Sequence, residues 1–273
     1  MKVAEMFKVE GYGAVVTGGG SGLGLAFVQV LAEHGARVTM LDLNPERIAK
    51  ESKRLRDAGF DVRGAVVDVT DRVALPAAID AAAAAYGRLD VVFANAGIDS
   101  GPGFVTLDRT SRVAVGAIEN YADDRWNKVI ETNLNSVFTT IKAAARHMKP
   151  RNSGRIIVTT SVAGILIEAG IGAAYMAAKA GAAHLMRTAA LELAKYNILV
   201  NAIAPGPFVT NIGGGHAHDP AVVAAFAQTV PLGRMASTED IKGLALYLAS
   251  PASSYVTGTQ MVIDGGTLLG VAD

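Results

Sequence analysis

The feature that most constrains this chain is a regular exchange between two hydrophobic periods. Short β-branched runs at 14–17, 37–41, 62–67, 91–94, 155–159, 199–203 and 260–263 alternate with helical patterns near 22–34, 45–58, 71–86, 122–149, 174–196 and 238–249. Most of the runs are apolar on both faces, as strands must be when helices cover both sides of a sheet. Strict β–α alternation predicts an α/β fold with a doubly wound, parallel, seven-stranded sheet and right-handed crossovers. Asn44-Pro45 has the form of a helix cap followed by a first-turn proline, and Thr70-Asp71 and Ser237-Thr238-Glu239-Asp240 offer similar starts.

Composition narrows the class further. A chain of 273 residues, 51% apolar and 18% charged, can bury a sizeable core. Its 25 basic and 25 acidic residues balance, so no global field exists to hold nucleic acid or an anionic membrane, and neither partner is expected. With no cysteine, disulfides and thiolate metal sites are excluded, which suits a reducing compartment. The opening MKVAEMFKVEGYGAVV carries acids and no continuous apolar segment, so it does not read as a secretory signal. No apolar run is long enough to cross a bilayer, and a cytoplasmic location is expected. No linker or repeat divides residues 1–273, so one domain is expected. Two stretches lack periodicity: 98–121, and 205–220 with Gly213-Gly214-Gly215; loops of this length are usually functional or mobile.

The first strand runs directly into TGGGSGLG, residues 17–24, and then into a helix. Glycines there permit a tight turn and let backbone N–H groups approach a pyrophosphate at a helix N-terminus. Gly18, Ser21, Gly22, Leu23 and Gly24 are the candidate contacts. The second strand ends at Asp42, where a carboxylate would bond both ribose hydroxyls of an adenosine and repel a 2′-phosphate. Neither Ser21 nor Leu43, which follows the acid, supplies a basic group for that phosphate, so NAD is expected over NADP. Asp68-Val69 ends the third strand, where the aspartate suits an adenine amino group. Asn95-Ala96-Gly97 ends the fourth, where small residues let backbone lie against the cofactor.

These motifs occur in the order found in the short-chain dehydrogenase/reductase family, which the chain resembles from about residue 10 to residue 267. TGxxxGxG is Thr17, Gly18, Gly22 and Gly24; NAG is Asn95 to Gly97; YxxxK is Tyr175 and Lys179, preceded by Ser161 in TTSVAG. The active-site asparagine matches Asn133 in ETNLNSVF, and the PG motif is Pro205-Gly206, followed by Phe208 and by Thr210 at a position that commonly touches the nicotinamide carboxamide. The resemblance implies a single-domain Rossmann fold, a nicotinamide cofactor and hydride transfer with an alcohol or carbonyl substrate. It also implies that Asn133 holds a water linking Lys179 to solvent, and that two helices form a four-helix dimer interface within a homotetramer, with a dimer as the fallback. The many alanines at 143–145, 177–178 and 180–183 agree with close helix packing.

The chemistry can also be read from the residues. Tyr175 and Lys179 are four apart and share one face of a helix. A free tyrosine has a pKa near ~10 and is a poor base at neutral pH. A neighbouring ammonium and a cationic nicotinamide would stabilise its phenolate and lower that value. Tyr175 would then remove the alcohol proton as hydride leaves, Lys179 would bind the nicotinamide ribose, and Ser161 would steady the charge on the substrate oxygen.

Substrate choice is expected from Ala163, Ile165, Leu166 and Ile167 after Ser161, from Pro207 and Phe208, and from residues 211–230. This wall is apolar and has no arginine placed for a carboxylate; Glu168 and His216 are its polar candidates. A neutral, partly hydrophobic secondary alcohol or ketone is therefore expected. The stretch 98–121 is longer than the family usually shows and follows a strand on the side where ligands bind, so it forms either a flap over the substrate or a surface excursion. The stretch from Ser161 to Tyr175 is also slightly longer than common. His34, His147, His184, His216 and His218 show no convincing ligand spacing, and no metal is expected. Asp90 is read as structural and Trp126 as packing a helix. Two other functions remain open: a regulator that senses NAD without turnover, and an isomerase or dehydratase on a similar fold.

Overall fold

The computed structural model describes residues 2–106, 109–212, 215 and 218–270. In chain order its main elements are α1 (Val3–Met6), β1 (Gly13–Thr17), α2 (Gly22–Glu33), β2 (Arg37–Asp42), α3 (Pro45–Asp57), β3 (Val62–Val66), α4 (Ala74–Tyr86) and β4 (Val91–Ala94). After the 98–121 stretch come α5 (Asp123–Ile130), α6 (Ser136–Met148), β5 (Gly154–Thr159), α7 (Ala173–Leu193), β6 (Ile198–Pro205), α8 (Pro220–Ala227), α9 (Lys242–Ala249) and β7 (Gln260–Ile263). The strands form one sheet in the order β3-β2-β1-β4-β5-β6-β7, every neighbouring pair parallel.

Side-chain alternation divides the core in two. Val15 faces one side with residues of α4, α6 and α7, such as Ile79, Ile141 and Met186. Ala14 and Val16 face the other, with Phe27 and Leu31 of α2 and Leu248 of α9. Phe27 stacks on Phe93 of β4 at 4.5 Å between ring centroids. The strand order reverses where β1 pairs with both β2 and β4, which opens a crevice beyond the carboxyl ends of the strands. At the opposite end, buried Asp90 accepts from Gly13 N–H at 2.9 Å, from Arg88 Nε at 2.5 Å and Nη2 at 2.8 Å, and from Arg151 Nη2 at 3.3 Å. It is a structural clamp on the strand starts, as its position suggests.

Several elements differ from the sequence expectation. The 122–149 pattern is not one uniform helix: a π turn at Glu131–Asn135 separates α5 from α6. The last helix begins at Lys242 because the Asp240 carboxylate closes a turn instead, accepting from Ser237 N–H and from both Arg234 amines. The third strand stops at Val66; it is an edge strand with Arg63, Gly64 and Val66 exposed. Within the stretch expected to be irregular, α8 begins at Asp219-Pro220, where Asp219 Oδ1 accepts from Ala221 N–H at 2.8 Å.

The 98–121 insertion is tied to the segment that leads into α7. Gly103 N–H donates to Gly170 O at 3.0 Å and Val105 N–H to Ala169 O at 3.2 Å, with Pro102 and Ile171 forming an antiparallel bridge. Ser100 Oγ donates to Gly172 O at 3.2 Å, and Tyr121 Oη donates to Ser100 O at 3.0 Å. Gly103 and Gly116 allow the layers to touch: a Cβ on Gly103 would overlap Ala169 O, and one on Gly116 would overlap Gly103 O. Trp126 is partly exposed and meets Tyr121 edge-on.

Candidate active site

The carboxyl ends of β1, β2, β4, β5 and β6 bring most of the singled-out residues to one crevice. Gly18 has φ +64° and Gly22 φ +52°, conformations that side chains resist. The space around them is as restrictive: a Cβ on Gly18 would lie 2.9 Å from the Ala96 α-carbon, and one on Gly24 would overlap Gly18 O. The first turn of α2, which holds Gly22, Leu23 and Gly24, has N–H groups with no acceptor in its own helix. This loop is a glycine cradle open to a phosphate. Gly24→Ala gains about 1 kcal/mol of helix propensity, but overpacking costs about 1–3 kcal/mol. The variant is expected to melt lower and to bind dinucleotide more weakly; a higher melting temperature with intact binding would count against the cradle.

Asn95 fixes the loop to the sheet. Its Nδ2 donates to Thr17 O at 3.0 Å, while its Oδ1 accepts from Thr159 Oγ1 at 3.0 Å. Thr17 Oγ1 in turn accepts from Asn95 N–H and Ala96 N–H at 2.9 and 3.1 Å. Asn95 thus acts on the cradle through its amide, while Ala96 and Gly97 carry the backbone past it.

Asp42 Oδ2 accepts from Gly20 N–H at 3.0 Å and Oδ1 from Asn44 N–H at 3.0 Å, so the carboxylate is fixed beside the glycine loop. Leu43 is 65% exposed next to it. One expectation is corrected here. A basic group does reach this corner: Arg47, one turn into α3, places Nη1 3.3 Å from Ser21 Oγ. The Asn44 cap, accepting from Arg47 N–H at 2.8 Å, sets that turn. Asp68 Oδ1 accepts from Thr70 N–H and Thr70 Oγ1, and Val69 is buried behind it.

Ser161, Tyr175 and Lys179 come together at the end of β5 and the start of α7. Tyr175 packs against the buried cluster of Val129, Ala174 and Ala178. Burial pushes its phenol above the ordinary value; a hydrogen bond with Ser161 pulls it down, and the Asp99 charge adds to the rise. The chain alone therefore opposes the lowering expected from the sequence, because desolvation outweighs the Ser161 hydrogen bond. Lys179 is also buried, which lowers its pKa to about 8. Its Nζ donates to Thr159 O at 2.8 Å and lies 5.5 Å from the Tyr175 ring centroid. Ser161 Oγ accepts from Ala163 N–H at 3.1 Å.

Asn133 is fully buried in the π turn, and both ends of its amide are used. Oδ1 accepts from Ile98 N–H and Nδ2 donates to Ile98 O, each at 2.8 Å. The side chain holds the exit of β4 with one bond at each end of its amide. A π turn displaces the main chain from the regular helical ladder.

The remaining residues divide. Gly206 N–H donates to Ile263 O, and Thr210, buried, faces Gly22. Phe208 is 6% exposed, belongs to the core and bridges to Ala236 through its main chain. Ala163 is buried behind Ser161, Pro207 is half-buried, and Ile167 is 81% exposed. Glu168 pairs with Arg109 at 3.6 Å. His147 bonds Asp80 and His218 bonds Asn211; His216 lies outside the described residues.

The residues present fit a dinucleotide, since the cradle, the free helix turn and the Asp42 carboxylate line one path. Comparisons agree. The family model described as enoyl-(acyl carrier protein) reductase matches residues 18–267. The cis-4-hydroxycyclohexanecarboxylate dehydrogenase of Sinomonas cyclohexanicum is 39% identical over 253 residues, 93% of this chain and 95% of that one. The 2,5-dichloro-2,5-cyclohexadiene-1,4-diol dehydrogenase of Sphingobium indicum is 34% identical over 264 residues, 97% and 99%. The crystal structure of a gluconate 5-dehydrogenase from Burkholderia cenocepacia J2315 in complex with NADP and tartrate superposes with a TM-score of 0.86 at 34% identity, covering 99% of this chain and all of that one.

Proposed function

The chain belongs to the short-chain dehydrogenase/reductase family, and from that premise we propose that it transfers a hydride between NAD and a secondary ring alcohol or its ketone. The observation that carries the reading is the convergence of Ser161, Tyr175 and Lys179 at the strand end beside the glycine cradle. The cofactor's chemistry is to take or give the hydride, and its cationic ring favours a nearby phenolate.

The chain's own residues do the rest. Tyr175 takes the alcohol proton, or returns it to the carbonyl oxygen. Ser161 bonds the same substrate oxygen and steadies its charge. Lys179, anchored on Thr159 O, presents its positive charge to the phenol and its remaining N–H groups to the ribose. Asn133 ties Ile98 in place and offers a main-chain carbonyl to the water that relays the proton. Ring alcohols are favoured because Ile165 and Ile167 are exposed on the loop after Ser161 and because both curated relatives described above are named for alcohols on six-membered rings. An intact Tyr–Lys pair favours turnover over sensing or isomerisation.

NAD is preferred because Asp42 holds a fixed carboxylate at the adenosine end, while Arg47 is a nearby cation that would favour NADP. Asp42→Ala removes a charged acceptor worth about 1.5–3 kcal/mol. NAD affinity is expected to fall roughly tenfold or more, and NADP affinity to rise as Arg47 is left unopposed. Equal affinity of the unmodified chain for both cofactors would overturn the assignment. The reaction itself is tested with cyclic and acyclic secondary alcohols, following NADH absorbance: ring alcohols should be the better substrates, and no turnover of any alcohol with either cofactor would refute the reading.

A further inference from the structure

The insertion holds the carbonyl from which the first turn of α7 hangs. Gly172 is the N-cap of that helix, and no side chain caps it. Its oxygen accepts from Tyr175 N–H at 3.1 Å and from Ser100 Oγ at 3.2 Å. Gly101 O, also within reach of the Ser100 hydroxyl, lies farther away at 3.5 Å. Ser100 is 1% exposed, so its hydroxyl has given up water and depends on the bond to Gly172. Behind it, Tyr121 Oη donates to Ser100 O at 3.0 Å. The Tyr121 ring meets Trp126 edge-on and packs, like Ile98 and Tyr175, against Val129, Ala174 and Ala178.

The other end of this short stretch is fixed as well. Ile98, two residues before Ser100, is bonded at both backbone groups by Asn133, each at 2.8 Å. Ser100 therefore stands on a segment anchored at Ile98 and by Tyr121, and it passes that anchorage to Gly172. The glycine itself shows the contact. Its φ of −64° is open to any residue, so the backbone conformation does not require it. Space does: a Cβ there would overlap Ser100 Oγ and stand 3.0 Å from Tyr121 Oη.

We propose that Ser100 is a positioning residue for Tyr175: its hydroxyl fixes the Gly172 carbonyl to which Tyr175 N–H is bonded, and Tyr121 acts through Ser100. The proposal rests on the hydride-transfer reading for the work of Tyr175 and concerns how the phenol is held. Taking the alcohol proton requires that phenol within hydrogen-bond reach of the reacting oxygen, and a misplacement of ~1 Å costs up to about a hundredfold in rate. Without the Ser100 hydroxyl the Gly172 peptide loses a bond at a residue with no side chain to limit its rotation. The first turn of α7, and the phenol on it, then samples other positions relative to Ser161.

The test compares the wild type with Ser100→Ala, Tyr175→Phe and the double variant, using the full chain, saturating NAD and cyclohexanol, and reads amide exchange in parallel. Ser100→Ala should lower kcat about ten- to a hundredfold, while KM for the alcohol and dinucleotide affinity stay within about twofold. In the Tyr175→Phe background the same substitution should change kcat by less than about twofold, because a residue that acts through the phenol has nothing left to place. A merely structural defect would lower the residual rate again. Exchange at Tyr175 N–H should quicken about tenfold or more in Ser100→Ala, and exchange at Met186, farther along the same helix, should not change. Should Ser100→Ala fail to fold, Tyr121→Phe, which keeps the ring against Trp126, should give the same pattern with a fall in kcat of about three- to fivefold. The proposal is overturned by a fall in kcat of less than about threefold in Ser100→Ala, by an equal loss in the Tyr175→Phe background, or by unchanged exchange at Tyr175. Each of these would leave the hydride reading standing. A Tyr175→Phe variant with the wild-type rate would overturn that reading and this one together.

Discussion

Tyr175→Phe is expected to lower kcat with a ring alcohol by roughly a thousandfold, the scale of a lost general acid–base group, while cofactor affinity stays within about twofold. Phenylalanine keeps the ring against Val129, Ala174 and Ala178, so packing is preserved and the hydroxyl alone is removed. The hydrogen bond with Ser161 goes with it, which leaves the substrate oxygen one partner and no proton acceptor. Steady-state kinetics with dinucleotide binding measured in parallel will separate the two effects. A drop of less than about tenfold would assign the proton to another group.

Lys179→Met is expected to abolish turnover and yet change stability in a direction that reveals what the lysine costs. Burial lowers the ammonium from its ordinary value to about 8, so holding the cation in the fold costs about 3 kcal/mol at neutral pH. That cost is present in full below pH 8, where the group is charged in both folded and unfolded chains. It disappears above about 10.5, where it is neutral in both. Between these limits the unfolded chain binds more protons, so the wild type gains stability as pH rises and the methionine variant does not gain in the same way. Loss of the bond to Thr159 O offsets about 1 kcal/mol or more of the relief. At pH 7 the variant should therefore be at least as stable as the wild type, with the difference moving toward the wild type by pH 10. Denaturant melts across that range will show it; a stability difference that does not vary with pH would mean that the lysine is solvated.

What was legible in the sequence was local or periodic. The strands of the inner sheet announce themselves because both faces are buried, and the glycine cradle because each glycine there is sterically enforced. The nearness of Tyr175 and Lys179 follows from helical spacing alone. What stayed hidden depends on distant partners. Arg47 reads as one more charge on an exposed helix, and only the turn set by Asn44 brings it to Ser21. Phe208 looks like a cofactor contact by its place after Pro205-Gly206, but the bridge to Ala236 draws it into the core. Asn133 is recognisable as a residue, whereas its commitment to Ile98, 35 positions away, is not. The missed helix α8 is different, since Asp219-Pro220 carries the same signal as Asn44-Pro45. It lacks the polar face that made the earlier one visible.

The pairing of the insertion with residues 169–172 also limits how this protein can be re-engineered. Two stretches that share hydrogen bonds and leave no room for a methyl group between them behave as one unit, so substitutions in either should be strongly non-additive. A chimaera that imports residues 98–121 from a relative will need that relative's partner stretch as well, because a donor loop shaped against a different neighbour would meet the wrong backbone. The loop is exchangeable only together with its partner stretch.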